Sequence, residues 1–152
     1  MPQTNNLFIL NLSEGWKETT VYTFEGPHDS GLQHNLVLVI DPKPADDVDL
    51  KSYVQSQIHN SLNNLSGFEM VSEKELATAN GTPAYLICYK QVPAPEQILF
   101  QKQLYIMDKK AICIFTSTYK KKTLQTIAYE VDDIINSFTL LDGTKIRDLL
   151  QQ

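Results

Sequence analysis

Cysteine is scarce in this chain, with two in 152 residues, Cys88 and Cys113. Neither has the spacing of a metal site and no histidine lies near either in sequence, so no cysteine-ligated metal is expected. Both fall in strand-like segments. A disulfide between neighbouring strands fits that placement, and two buried free thiols fit it better. Long hydrophobic runs are missing too. Runs such as Leu36–Ile40 are far short of the ~20 residues that span a bilayer. Met1–Leu12 has neither the basic start nor the apolar centre of a secretory leader. These absences set the expectation of a cytoplasmic protein that is not itself membrane-embedded. Positive charge is also short, with 13 Lys and Arg against 18 Asp and Glu, a net charge of −5. One basic run, Lys120-Lys121-Lys122, cannot track a phosphate backbone, so no nucleic-acid partner is expected.

What remains is an ordinary globular composition, 42% hydrophobic and 20% charged, with seven Tyr and six Phe. At 152 residues it predicts a single domain, 1–152, with an ordered core over about 5–141 and a tail over 142–152. Leu7–Leu10, Thr19–Phe24 and Asn35–Ile40 read as strands from their β-branched and aromatic content. Gly26-Pro27 through Gly31 reads as a loop, as does Pro93-Ala94-Pro95. Asp49 is a candidate N-cap for a helix running into Leu65, with Val54, Ile58, Leu62 and Leu65 at helical spacing and Gly67 as its stop. Strands follow over Phe68–Leu76, Pro83–Lys90, Ile98–Met107 and Ala111–Thr118, with a turn at Asn80-Gly81 and a hairpin at Asp108-Lys109-Lys110. A second helix is expected over Thr123–Phe138, and a short one over Thr144–Leu150. Consecutive strands with few helices argue for α+β, an antiparallel β-sheet flanked by two main helices.

No constellation for catalysis emerges. There is no glycine-rich phosphate loop and no nucleophile elbow. His28, Asp29 and His34 lie close in sequence, yet no further ligand completes a metal site, so polar loop residues are expected there. Glu73 and Glu75 alternate along what reads as a solvated edge. The expectation is no enzyme, no catalytic residues, no metal and no cofactor.

One segment departs from ordinary composition. From Ser52 to Phe68 there is no Asp, Glu, Lys or Arg, and the polar residues are Gln, Asn, Ser and one His. A surface helix normally carries Lys and Glu. A solvated amide face and a binding face both account for the absence. On the strand Thr20–Phe24, Val21 and Thr23 share one side and Tyr22 and Phe24 the other.

Taken in order, Gly15-Trp16 before TTVYTF, then NLVLVID, YVQSQIHNSLNNLSGF, Gly81-Thr82-Pro83-Ala84-Tyr85, and QKQLYI leading to ICIFTSTY resemble the DcrB-related family. Its fold is Mog1/PsbP-like, and within it the chain is most similar to the Eag-type chaperones of type VI secretion systems. The resemblance implies a homodimeric, non-enzymatic chaperone. Its partner would be a secreted effector of the PAAR or Rhs type, whose N-terminal transmembrane segments it holds in an apolar groove. It carries a guest-helix binding set onto Val21, Thr23, Leu38, Gln57, Leu65 and Gln103. Thr23 departs from the aliphatic residue the family places there, Leu65 also fits a core position, and Gln57 also fits a solvated face. The alternative within the same fold is a protein-binding adaptor or an accessory subunit, which calls for a charged recognition surface or a leader. A metal-dependent enzyme built on His28 and His34 is the third reading.

Overall fold

Alternating β-branched and aromatic residues fill the strands, and the two amphipathic segments lie where the chain must cross or leave the sheet. The protein is described from a computed structural model over residues 2–4, 9–16, 19–29, 31–42, 47–77, 81–108 and 111–139. The elements are β1 (Pro2–Thr4), β2 (Ile9–Asn11), β3 (Thr20–Asp29), β4 (Leu32–Pro42), α1 (Leu50–Asn60), β5 (Glu69–Ala77), β6 (Pro83–Ala94), β7 (Gln97–Met107), β8 (Ala111–Tyr119) and α2 (Ile127–Asn136). β1 and β2 form a two-stranded ribbon, and the others a six-stranded sheet in the order β3-β4-β8-β7-β6-β5. Every pairing is antiparallel. The class is therefore α+β, an antiparallel sheet with two main helices.

The topology places one helix on each face. After β4 the chain crosses to the far edge of the sheet through α1, then meanders back through β5, β6 and β7 to β8 beside β4. α1 lies on β6 and β7, while α2, following β8, packs on β8 from the other side. Strand alternation divides the core accordingly. Leu50, Val54 and Leu62 meet Tyr85, Ile87, Tyr89, Tyr105 and Ile112 on the α1 face. Ala128, Val131 and Ile135 meet Leu36, Leu38, Leu104, Ile106, Phe115 and Tyr119 on the α2 face.

Local chemistry explains most boundaries. The Asp49 carboxylate accepts from the Ser52 N–H at 3.1 Å and from its hydroxyl at 3.0 Å, a true N-cap. α1 ends at Asn60, and a 3₁₀ turn over Leu62–Asn64 completes the expected length. Thr123–Gln125 is likewise a 3₁₀ turn leading into α2. Two expected loops are instead strand. β3 runs through Gly26-Pro27 to Asp29, with its register shifting between Glu25 and His28. A proline lacks the N–H of a ladder, and an edge strand at a bulge is where that is tolerated. β6 runs on to Ala94, with a shift between Gln91 and Ala94, and Glu96 (φ 64°) makes the turn. The expected tail 142–152 with its helix Thr144–Leu150 lies outside the described residues. So do Leu7, Phe8, Lys43, Pro44, Asn80, Lys109 and Lys110.

Gly67 has φ +68°, and a Cβ there would stand 2.8 Å from the Val92 side chain. Gly67→Ala is therefore expected to lose more than about 1 kcal/mol, combining left-handed strain with a clash. The fully buried Ile87 truncated to Ala should lose about 2–5 kcal/mol. Urea denaturation of each variant measures both losses.

Candidate functional site

Register fixes which side chains share the α1 face. One row runs Thr23, Val37, Thr116, Gln103, Ile87 and Glu73 across the sheet. Its neighbour runs Val21, Val39, Ile114, Tyr105 and Tyr85. α1 covers the β6–β7 end of these rows. At the other end, on β3, β4 and β8, no helix among the described residues lies over the face. Val37, Val39, Ile114, Thr116 and Gln103 are half-buried there, and Val21 is 54% exposed on the outermost strand. Between Asp41 at one end and Glu25 at the other, this strip contains no charged side chain.

The flanks of α1 are pinned by hydrogen bonds. The Tyr53 hydroxyl donates to Asp41 Oδ2 on β4 at 2.7 Å. On the opposite flank the Gln55 amide donates to Glu73 Oε1 on β5 at 3.0 Å, and Tyr85 donates to the same oxygen at 2.6 Å. The Tyr53 flank thus faces the open strip. Gln57, four residues on and half-buried, sits on it one turn later. On the floor, Tyr105 donates to Gln103 Oε1 at 2.5 Å. Tyr89 donates to Gln101, whose amide nitrogen donates to Thr118 Oγ1 at 3.0 Å. Gln103 is therefore held by its carbonyl, leaving its amide hydrogens for another acceptor.

Register places Val21, Thr23 and Gln103 on the α1 face, Thr23 and Gln103 in one row three strand spacings apart, and Gln57 is half-buried on the α1 flank toward that face. Leu38 is not brought to them. Leu38 pairs with Tyr22 and is 7% exposed in the core beneath α2, on the opposite face. Its neighbours Val37 and Val39 occupy the strip instead. Leu65 packs against the core of the α1 face, alongside Phe68 and Met70. Tyr53 and Gln57 lie on the flank of α1, half-buried, and not on a side facing away from the core. Asn60 and Asn64 are exposed and bond locally, to Ser56 Oγ at 3.2 Å and to the Asn60 carbonyl at 3.1 Å. Sequence reasoning missed Val37, Val39, Ile114, Thr116 and Gln101. Strand alternation marks these as candidates, but only the pairing Val21↔Val39 says which parity of β4 joins them.

The other expected chemistry is dispersed. Cys88 and Cys113 are free thiols in different cross-strand rows. Burial raises both, Cys113 to about 11. His28 is exposed on β3, whereas His34 is 97% buried beside Tyr119. A cavity of about 80 Å³ separates the β3–β4 hairpin from α2, lined by Phe24, His34, Leu36, Ile127, Val131 and Ile134. Among the described residues no three His, Cys, Asp or Glu side chains converge, and no helix is long and apolar enough to cross a membrane.

The buried phenols make stability pH-dependent. Burial raises Tyr53, Tyr89, Tyr105 and Tyr119 above the ordinary tyrosine value of about 10. The Asp41 carboxylate adds to the effect at Tyr53. Above that pH the unfolded chain gives up protons that the fold retains. Stability is then whole below about pH 10 and falls as pH rises through about 12, the value for Tyr89 and Tyr119. Chemical denaturation across this window should show that fall, and Tyr53→Phe should make it shallower.

Comparison with known proteins agrees with the fold. The crystal structure of PA94, a protein of unknown function from Pseudomonas aeruginosa, superposes with a TM-score of 0.72 at 18% identity. The superposition covers 92% of this chain and 96% of that one. No characterised protein matches the chain by sequence. The DcrB family profile matches residues 9–137, from β2 to just past α2. The chain belongs to the DcrB family.

Proposed function

We propose that the protein is a non-enzymatic chaperone that shields apolar segments of another protein on the open half of its α1 face. The single observation carrying this reading is the strip between α1 and β3, uncharged from Asp41 to Glu25 and half-buried. A hydrophobic segment out of its bilayer needs apolar cover, and its backbone and small polar groups need partners. A charge facing it would cost several kcal/mol unless paired. Amides and hydroxyls supply hydrogen bonds with less desolvation, and Gln57, Gln103 and Thr116 stand beside Val21, Val37 and Val39.

The resemblance to Eag-type chaperones narrows this to the N-terminal transmembrane segments of PAAR- or Rhs-type effectors of type VI secretion, held in the cytoplasm before export. The adaptor alternative calls for a charged recognition surface, and this strip carries none. The homodimer implied by the same resemblance has a surface available on the opposite face. There Tyr22, Phe24 and Ile134 are about half exposed. A contact between copies there would leave the strip free.

Purification of the tagged protein from its native host should recover one large protein with hydrophobic segments near its N-terminus. Val21→Asp should lose that partner while stability stays within about 0.5 kcal/mol, since the side chain is exposed. Gln57→Ala should weaken capture without unfolding. Gln103→Ala should weaken capture and also cost about 1–3 kcal/mol, because buried Tyr105 loses its acceptor. Leu65→Asp should unfold the chain, since Leu65 packs on the core. Recovery of soluble partners alone, unaffected by Val21→Asp, would turn the reading toward an adaptor.

A further inference from the structure

His34 is 97% buried, yet its Nε2 has no hydrogen-bond partner. Buried polar atoms in folded proteins are almost always paired, so an unpaired one calls for a physical reason. Its ring lies beside Tyr119, with 6.4 Å between centroids, a tilted contact that supplies no bond to Nε2. Strand alternation puts His34 on the same side of β4 as Leu36 and Leu38, the side toward α2. There it lines the cavity of about 80 Å³ between the β3–β4 hairpin and α2.

Local sequence shapes both walls. On α2, Ile127, Val131 and Ile134 recur at helical spacing and make one wall apolar. On the hairpin, Phe24 and Leu36 are cross-strand partners. The register shift between Glu25 and His28 then puts Gly26 and Pro27 on the cavity wall, with Gly26 against the His34 Cβ. Neither has a polar side chain to meet the imidazole. Glu25 and Glu130 also line the cavity and are exposed, which places two carboxylates at its mouth. A water held at Nε2 would need about three polar partners, and the walls around it offer mainly aliphatic and aromatic side chains.

We infer that this cavity binds a small neutral alcohol or phenol, its hydroxyl on His34 Nε2 and its apolar body against Phe24, Leu36, Val131 and Ile134. A hydroxyl both donates and accepts, so it satisfies either imidazole tautomer. Size limits the ligand. An enclosed cavity of about 150 Å³ holds benzene. One ring therefore fills about 80 Å³ and emerges between Phe24 and Ile134, which are 53% and 51% exposed. The two carboxylates at the mouth disfavour an anion. The site lies on the opposite face of the sheet from the open strip and does not depend on the chaperone reading.

Phenol, benzene and benzoate, titrated against the full chain and read by saturation-transfer NMR, test this. Phenol should bind saturably and about five- to tenfold more tightly than benzene, which has the ring without the hydroxyl. It should also bind more tightly than benzoate. The His34 ring-nitrogen resonance should shift with the same midpoint as phenol binding. His34→Leu removes the unpaired atom at similar volume, so it should keep benzene and lose the preference for phenol. Ile134→Asp, at an exposed position, should weaken phenol and benzene alike with the fold intact. Equal affinity for phenol and benzene, a preference that survives His34→Leu, or tighter binding of benzoate would overturn the inference. So would a His34 nitrogen resonance indifferent to phenol, or no saturable binding of any of the three.

Discussion

Among the described residues there are two main helices, of eleven and ten residues, and these cannot cover both faces of a six-stranded sheet. An apolar sheet face needs a layer against it, and one short helix covers about half of one face. The crossover from β4 puts α1 over β6 and β7, and the exit from β8 puts α2 on the opposite side, so the halves that no described helix covers lie diagonally. The two halves are treated differently. On the α2 face the open half carries Lys74, Lys90 and Lys102, and Lys90 pairs with Glu69 at 2.7 Å. Those charges solvate the surface. On the α1 face the corresponding half has valines, threonines and amides. The two edge strands differ in the same sense: β5 carries Glu69, Glu73, Lys74 and Glu75, which guard an edge against pairing, whereas β3 is uncharged from Thr20 to Phe24.

The polar groups of the open half are organised by the tyrosines beneath. Tyr89 and Tyr105 are buried and must place their hydroxyls, and the glutamines of β7 accept them. That arrangement fixes Gln101 and Gln103 at the margin of the strip. Tyr53 plays the corresponding part at one end, tying α1 to β4 through Asp41. Gln101 and Gln103 are thus preorganised by core hydrogen bonds, which would lower the entropy lost in the binding proposed for the strip. The uncharged segment from Ser52 to Phe68 divides between two roles. Gln55, Asn60 and Asn64 bond within the protein, while Gln57 is half-buried on the same flank of α1 as Tyr53.

Much of the fold was legible because periodicity and punctuation are local. The Asp49 cap, the six long strands and the two helices follow from spacing and β-propensity alone. Gly26-Pro27 and Pro93-Ala94-Pro95 misled because their turn chemistry was absorbed by bulges, a matter of which partner strand lies alongside. The candidate strip was half legible for a related reason. The parity of Val21 and Thr23 is visible in one strand, but matching it to β4 requires register, and one residue of difference moves a side chain to the other face. Leu38 falls on the face opposite Val21 and Thr23, and Val37 and Val39 on the same face. The presence of Gln57 and Gln103 on one face of the sheet depends on α1 crossing to the far edge, which no local pattern encodes.

The most direct test of the central claim is site-specific photocrosslinking. A photoreactive residue would be placed at Thr116 on the open strip and, separately, at Lys74 on the charged half of the opposite face. The account predicts that Thr116 links to a hydrophobic segment of the partner and that Lys74 does not. Links from Lys74, with none from Thr116, would contradict the proposal that the neutral half of the α1 face binds an apolar segment.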